Sequence, residues 1–80
     1  MSELNNLKSE IKNIFFNVFP NLKEDDFDWE KQQSGYEDWD SFAHLQLVSK
    51  IEKQFNIRFD IDQIMNVNSP NDFLKFVNHQ

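Results

Sequence analysis

Apolar residues recur every three or four positions in the first quarter of the chain. They are Leu4, Leu7, Ile11, Ile14 and Val18. This spacing places them on one face of an α-helix. Pro20 ends the stripe, because a proline disfavours helical backbone at the residue before it. The pattern predicts a first helix over residues 2–18.

A second apolar stripe of the same period lies in the middle of the chain. It is formed by Phe42, Leu45, Val48, Ile51 and Phe55. Asp40 and Ser41, just before it, are both residue types that cap the N-terminus of a helix. Asn56 is suited to ending one. We therefore expect a second helix that begins at Asp40 or Ser41 and ends at Phe55.

The stretch after this helix alternates apolar and charged residues. Ile57, Phe59 and Ile61 alternate with Arg58 and Asp60, which alone is typical of a β-strand. The chain offers no second strand to pair with it, and an unpaired strand is not stable. We expect an extended connection followed by a short helix over residues 62–66.

A last helix is indicated by Ser69 and Pro70, because serine is favoured at the N-cap and proline at the first helical position. A short apolar stripe follows, formed by Phe73, Leu74, Phe76 and Val77. The sequence therefore predicts an all-α fold. We expect a small four-helix bundle, with three main helices and a short third helix, forming a single domain over residues 1–80.

Residues 20–40 form a long connection between the first two predicted helices. A loop of this length is uncommon in a small domain unless it is functional or anchored. Aromatic side chains supply candidate anchors, namely Phe27, Trp29, Tyr36 and Trp39. Gly35, the only glycine, suggests a backbone conformation that other residues adopt only at a cost.

Charge and cysteine content exclude several classes of protein. The chain carries 14 acidic and 8 basic residues, which argues against binding to nucleic acid phosphates. Without cysteine it has no disulfide, thiol nucleophile or thiolate metal site, and we expect no metal site. No apolar run reaches the roughly 18–20 residues of a membrane span, and the start of the chain lacks the features of a signal peptide. These observations predict a cytoplasmic monomer.

The most informative stretch runs from Asp38 to Leu45, where the acidic connection turns into the second helix. Its Asp40-Ser41-Phe42 triplet resembles the Asp-Ser-Leu signature of acyl carrier proteins and related carrier domains. The following residues fit the second helix of that family and its Glu-x-x-Phe-x-Ile ending: Leu45, Leu47, Val48, Ile51, Glu52, Phe55 and Ile57. The extended stretch 59–62 and the start of the last helix fall at similar distances, so the resemblance covers essentially the whole chain.

The resemblance implies a role for Ser41. In carrier proteins the matching serine receives 4′-phosphopantetheine from coenzyme A, and a separate phosphopantetheinyl transferase (holo-acyl-carrier-protein synthase) makes the transfer with a divalent cation. The arm ends in a thiol that carries acyl groups as thioesters. The protein would then not be an enzyme. Its partners would be the transferase, an acyl-activating ligase and acyltransferase or synthase enzymes.

Several residues differ from those of fatty-acid carriers. Trp39 and Phe42 stand where alanine and leucine are usual, and Glu52 is the only acid of the second helix, beside Lys50 and Lys53. The pattern is similar to specialised bacterial carriers of surface-polysaccharide or secondary-metabolite pathways. The Asp-Ser-Phe triplet is also similar to that of D-alanyl carrier proteins. The alternative is the general carrier of fatty-acid biosynthesis.

We expect partners to dock around the start of the second helix, on Asp38, Trp39, Asp40, Phe42 and Leu45. Some of these residues also have structural interpretations. Ser41 or Asp40 can serve as a helix cap, and Trp39 as a packing anchor. His44 is interpreted as a solvated side chain rather than a functional one.

Two other classes of protein compete with a carrier. The first is an unmodified acidic helical adaptor that binds a partner through its aromatic surface. The second is a small serine hydrolase using Ser41 and His44, which lie three positions apart on one helix face. For a hydrolase the chain shows no oxyanion hole, substrate pocket or orienting acid, so this hypothesis is the weakest.

Overall fold

The computed structural model describes residues 2–79 and shows four α-helices and two short 3-10 turns within that range. The helices are α1 (Ser2–Val18), α2 (Ser41–Phe55), α3 (Ile61–Asn66) and α4 (Pro70–Asn78), and the 3-10 turns are Glu24–Asp26 and Gln33–Gly35. These residues contain no strand, which confirms the predicted all-α four-helix fold. Met1 and Gln80, the ends of the predicted domain, lie outside the described residues. None of the helices described is both long and apolar enough to cross a membrane.

The start and end of α2 are set by the residues on either side of it. Asp40 is the N-cap, and its Oδ1 atom accepts a hydrogen bond of 2.8 Å from the Ala43 N–H. Asn56 follows the helix with φ of 56°, the left-handed conformation that ends a helix. Between these residues the helix has the predicted bounds.

Side-chain caps also begin α3 and α4. The Asp60 carboxylate accepts from the Gln63 N–H while the Gln63 side chain accepts from the Asp60 N–H, which is a reciprocal capping box. Ser69 Oγ accepts from the Asp72 N–H at 3.2 Å, and Pro70 is the first helical residue, as predicted. Since Asp60 is the cap, α3 begins one residue before its predicted start.

The core lies where α1 packs against both α2 and α4. The side chains of Ile11, Phe15, Leu47, Ile51 and Phe73 are 0% exposed. The Phe15 ring makes an edge-to-face contact with the Phe73 ring, with centroids 5.9 Å apart. Such aromatic pairs add to the free energy gained by burying their area.

Glu52 fixes the extended segment that joins α2 to α3. Its backbone carbonyl accepts from the Ile57 N–H at 3.1 Å, and its carboxylate accepts from the Phe59 N–H at 2.8 Å. The Phe59 side chain is buried. The segment is therefore held by a side chain of α2 rather than by pairing with a strand.

The connection between α1 and α2 is anchored by aromatic side chains, as expected. Tyr36 is buried, and its hydroxyl donates to the Asp28 carbonyl at 2.7 Å and accepts from the Asp28 N–H at 3.1 Å. Two backbone hydrogen bonds, Gln33 N–H to Asn68 carbonyl and Asn71 N–H to Trp29 carbonyl, join the connection to the segment around the start of α4. This long loop thereby holds the residues before α2 in place.

The expectation of an unusual backbone at Gly35 is wrong, because its φ is not positive. Instead, a Cβ atom at this position would lie 2.8 Å from Cγ of Lys31. The Lys31 ammonium lies 4.5 Å from the centroid of the Tyr36 ring. The glycine therefore leaves room for the lysine side chain.

Candidate functional site

Ser41 is the first residue of α2 and is exposed. Because Asp40 is the N-cap, the interpretation of Ser41 as the cap is wrong. The Ser41 hydroxyl makes no hydrogen bond with any other residue in the range 2–79. It is therefore open to a modifying enzyme.

The backbone around Ser41 suits a phosphate group. Asp40 pairs two N–H groups of this turn. The Ala43 N–H donates to its side chain, and the His44 N–H donates to its backbone carbonyl. The N–H groups of Ser41 and Phe42 belong to the first turn, where an α-helix provides no partner within itself. Unpaired N–H groups and the helix dipole favour an anionic group at this end.

His44 forms two hydrogen bonds inside the molecule. The Trp39 indole N–H donates to its Nδ1 atom at 3.0 Å, and its Nε2 atom lies 2.7 Å from the Ile64 carbonyl oxygen. Since Nδ1 accepts, the proton of the neutral ring is on Nε2, which donates to Ile64. The interpretation of His44 as a solvated side chain is therefore corrected.

This arrangement argues against the hydrolase hypothesis. A general base needs a ring nitrogen within hydrogen-bond reach of the nucleophile. Both ring nitrogens of His44 are already engaged with Trp39 and Ile64, and the described residues show no hydrogen bond between His44 and Ser41. His44 instead links the connection before α2 to α3.

Trp39 is 4% exposed and belongs to the core. Its ring lies 5.4 Å from the Phe15 ring and 5.4 Å from the Tyr36 ring, measured between centroids. The alternative interpretation of Trp39 as a packing anchor is therefore confirmed. The expectation that its side chain contacts partners is corrected, because a buried ring presents almost no area to another protein.

Four large apolar side chains near the start of α2 and on α3 remain exposed. Phe42 is 71% exposed and Leu45 56%, while Ile61 and Met65 of α3 are each 73% exposed. Phe42 and Leu45 are among the residues expected from the sequence to contact partners, whereas the two exposed residues of α3 were not predicted. A six-residue helix is too short for its apolar pattern to show which side faces the core. In the structure it is Ile64 that packs against the core.

Charged residues are unevenly placed around this site. Glu37, Asp38 and Asp40 are exposed before α2, whereas Lys50 and Lys53 are exposed in its second half. The carboxylate of Glu52, the only acid of α2, is already hydrogen-bonded to Phe59. No cluster of acidic or histidine side chains among residues 2–79 could hold a metal ion.

An open groove of about 300 Å³ lies beside Ser41. The side chains that line it come from the connection, α2, α3 and the segment before α4, and they are Gln33, Ser41, His44, Leu45, Met65 and Asn68. The groove thus joins the exposed serine to amide side chains on neighbouring elements.

A four-helix bundle that presents a free serine at the start of its second helix has the architecture of a carrier domain. Residues 20–77 match the model of the family described as the phosphopantetheine attachment site. The match covers well over half of the chain, and the chain belongs to this family. Searches among curated proteins and among solved structures found no significant match.

Membership of the family establishes the prosthetic group and the general role. The family domain is the attachment site of covalent 4′-phosphopantetheine, and such domains generally carry intermediates rather than catalyse reactions. When attached, this group supplies a thiol that holds acyl groups as thioesters. A chain without cysteine has no thiol of its own for this purpose.

Proposed function

We propose that Ser41 is the residue that carries 4′-phosphopantetheine and that the protein presents acyl groups to partner enzymes. The observation that carries this proposal is the Ser41 hydroxyl, which is exposed at the start of α2 and makes no hydrogen bond with the other residues of the range 2–79. Ser41 also lies inside the range matched by the family model. Its neighbour Asp40 takes over the capping role, which leaves the serine free for modification.

The residues around Ser41 have separate tasks in this proposal. Asp40 keeps the first turn of α2 formed, so that the N–H groups of Ser41 and Phe42 face an attached phosphate. His44 and Trp39 hold α3 beside this turn. The first turn of α2 and the neighbouring α3 are thus held in place around the attached arm.

We further propose that partners dock on an apolar surface formed by Phe42, Leu45, Ile61 and Met65, with an acidic edge at Glu37, Asp38 and Asp40. Isolated exposed apolar residues are common, but a group of them beside a modification site suits an interface. The acidic edge fits basic residues on a partner. The partners in this proposal are a phosphopantetheinyl transferase, an acyl-activating ligase and an acyltransferase or synthase.

The proposal includes a specialised pathway, such as surface-polysaccharide or secondary-metabolite synthesis, rather than general fatty-acid synthesis. Its support is the surface of α2. Lys50 and Lys53 are exposed there, and Glu52 is held by the Phe59 N–H. A partner that recognises acidic groups along the whole second helix would find none free on α2.

Replacement of the proposed attachment residue tests the site. Ser41→Ala should gain no phosphopantetheine mass when incubated with coenzyme A, Mg²⁺ and a phosphopantetheinyl transferase, as measured by intact-protein mass spectrometry. Because Asp40 caps α2, the free energy of unfolding should change by no more than about 0.5 kcal/mol. Ser49→Ala is the matched control, since Ser49 is also exposed on α2, and it should be loaded like the native protein.

Two outcomes would contradict the proposal. A phosphopantetheine adduct on Ser41→Ala would place the attachment at another residue. A native chain that stays unmodified with a transferase shown to load other carriers would favour the unmodified adaptor.

A further inference from the structure

We infer that the groove beside Ser41 is a binding site for the arm itself, in which Gln33 and Asn68 hydrogen-bond to the amide groups of the pantetheine. This inference rests on the proposed attachment at Ser41. It goes further by assigning a docked position to the arm on the surface of the carrier. We call this site the amide groove, and its lining residues are Gln33, Ser41, His44, Leu45, Met65 and Asn68.

Gln33 offers one acceptor to the amide groove. Its Nε2 atom donates to the Trp39 carbonyl at 3.1 Å, which fixes the orientation of the side-chain amide. The Oε1 atom of the same amide accepts no hydrogen bond from the described residues. An oriented amide oxygen with an open acceptor position matches an N–H donor of the arm.

Asn68 offers both a donor and an acceptor. Its backbone is held on two sides, because its N–H donates to Asp72 Oδ2 at 2.9 Å and its carbonyl accepts from the Gln33 N–H at 2.6 Å. Its side-chain amide has no hydrogen-bond partner among residues 2–79. A fixed backbone therefore carries a free amide at the groove, which lowers the entropy lost on binding.

The rest of the lining is suited to the part of the arm next to the phosphate. Leu45 and Met65 are exposed apolar side chains on the two sides of the groove and can cover the dimethyl group of the pantoyl unit. The ring nitrogens of His44 are engaged elsewhere, so His44 contributes only the face or edge of its ring. The groove thus offers apolar contact and amide hydrogen bonds, which are two kinds of interaction that a pantetheine arm can make.

Docking in an open groove is reversible. Hydrogen bonds at a surface compete with water, so each contributes little net free energy. The arm would spend part of its time along the groove and part of it in solvent, and a partner enzyme could withdraw it without unfolding the carrier.

Nuclear magnetic resonance of the loaded protein tests the inference. The chain is loaded with an arm whose amide nitrogens are ¹⁵N-labelled, and intact mass first establishes that the arm is attached. We expect nuclear Overhauser contacts between the arm amide protons and the side-chain amide protons of Asn68. We also expect the arm amides to show slower local motion than those of free pantetheine.

Asn68→Ala and Asn66→Ala form the matched pair of variants. Asn68→Ala retains the backbone hydrogen bonds of residue 68 and should increase arm mobility while loading remains complete. Asn66 is exposed at the end of α3 but does not line the amide groove. Asn66→Ala should leave the mobility of the arm as in the native chain.

The possible failures are distinguishable. A loaded native protein whose arm lacks contacts with Gln33 and Asn68 and moves like free pantetheine overturns this inference alone. Equal arm mobility in Asn68→Ala and the native chain overturns it as well. A native protein that gains no arm mass overturns the proposed function and this inference together.

Discussion

His44 joins three parts of the molecule through a single imidazole ring. It accepts a hydrogen bond from the Trp39 indole in the connection, belongs to α2, and donates to the Ile64 carbonyl in α3. Its ring is nearly parallel to the indole of Trp39, with centroids 5.8 Å apart and an interplanar angle of 23°. His44 therefore contributes to the position of α3 relative to Ser41.

Removal of this ring should destabilise the protein. His44→Ala leaves the Trp39 N–H and the Ile64 carbonyl without their partner, and an unpaired, partly buried polar group costs about 1–3 kcal/mol. We expect a loss of that size in the free energy of unfolding, measured by urea denaturation. Gln46→Ala, a change at another half-buried residue of α2, should lose no more than about 0.5 kcal/mol. Equal stability of the two variants would show that the His44 hydrogen bonds contribute nothing.

At the scale of elements, the connection between α1 and α2 depends on Tyr36. Burial raises the pKa of the Tyr36 phenol above its ordinary value of 10.0, and the nearby Asp28 carboxylate also raises it, against the lowering effect of the Asp28 backbone hydrogen bond. The folded protein therefore keeps the phenol proton to higher pH than the unfolded chain does. The stabilisation is fully present below the unfolded pKa and is lost as pH rises through the folded pKa.

The raised pKa of Tyr36 can be tested in alkaline solution. The free energy of unfolding should fall as pH rises from about 9 to about 11, because the unfolded chain releases the phenol proton first. Tyr36→Phe should be less stable near neutral pH, since it lacks both hydrogen bonds to Asp28. Its stability should then decline less steeply over the alkaline range. Parallel declines in the two proteins would contradict the assignment to Tyr36, which is the only tyrosine in the chain.

The helices could be predicted because their determinants are local. The stripes of α1 and α2 are long, and Asp40, Asn56 and Ser69 act within a few residues of their own positions. The contact from His44 to the Ile64 carbonyl joins residues 20 positions apart. No periodicity encodes such a contact, so the sequence suggested a solvated histidine.

Contacts between residues far apart in the chain also determine the rest of the site. The motif made Ser41 the candidate attachment residue, which stays a prediction. For Trp39 the sequence allowed both packing and docking, and only the packing of Phe15 and Tyr36 around the ring decided between them. Ile61 and Met65 were missed because α3 is so short that its exposed side follows from how it packs on its neighbours. Gly35 was misinterpreted because its role is to make space for a side chain rather than to allow a special backbone angle.

At the scale of the whole molecule, a net charge of −6 is distributed unevenly around the proposed docking surface. Glu37, Asp38 and Asp40 lie on one side of Ser41, and the exposed lysines of α2 lie farther along the helix. Opposite charges on a partner increase the rate of encounter, and salt weakens this effect over a screening length of about 8–10 Å. The acidic edge should therefore affect how fast a basic partner associates.

A pair of charge reversals tests this expectation. Asp38→Lys should slow association with the phosphopantetheinyl transferase several-fold at low salt, measured by stopped-flow mixing, and added salt should reduce the difference. Glu3→Lys is the control, because Glu3 is exposed at the start of α1 and the substitution changes the net charge equally. Equal slowing in both variants would show that only total charge matters. Glu52 cannot serve as the control, since its carboxylate holds the Phe59 N–H.

The hydrogen bond from Trp39 to His44 also gives the protein an intrinsic fluorescent reporter. The Trp39 indole is buried and donates its N–H to an imidazole, so its surroundings differ from those of an indole in water, and tryptophan emission depends on those surroundings. Trp29, the other tryptophan, is half-buried, and its ring faces the Lys8 ammonium, which lies 5.7 Å from its centroid. Fluorescence of the unlabelled chain can therefore report a change in the surroundings of Trp39, such as the loss of its hydrogen bond to His44.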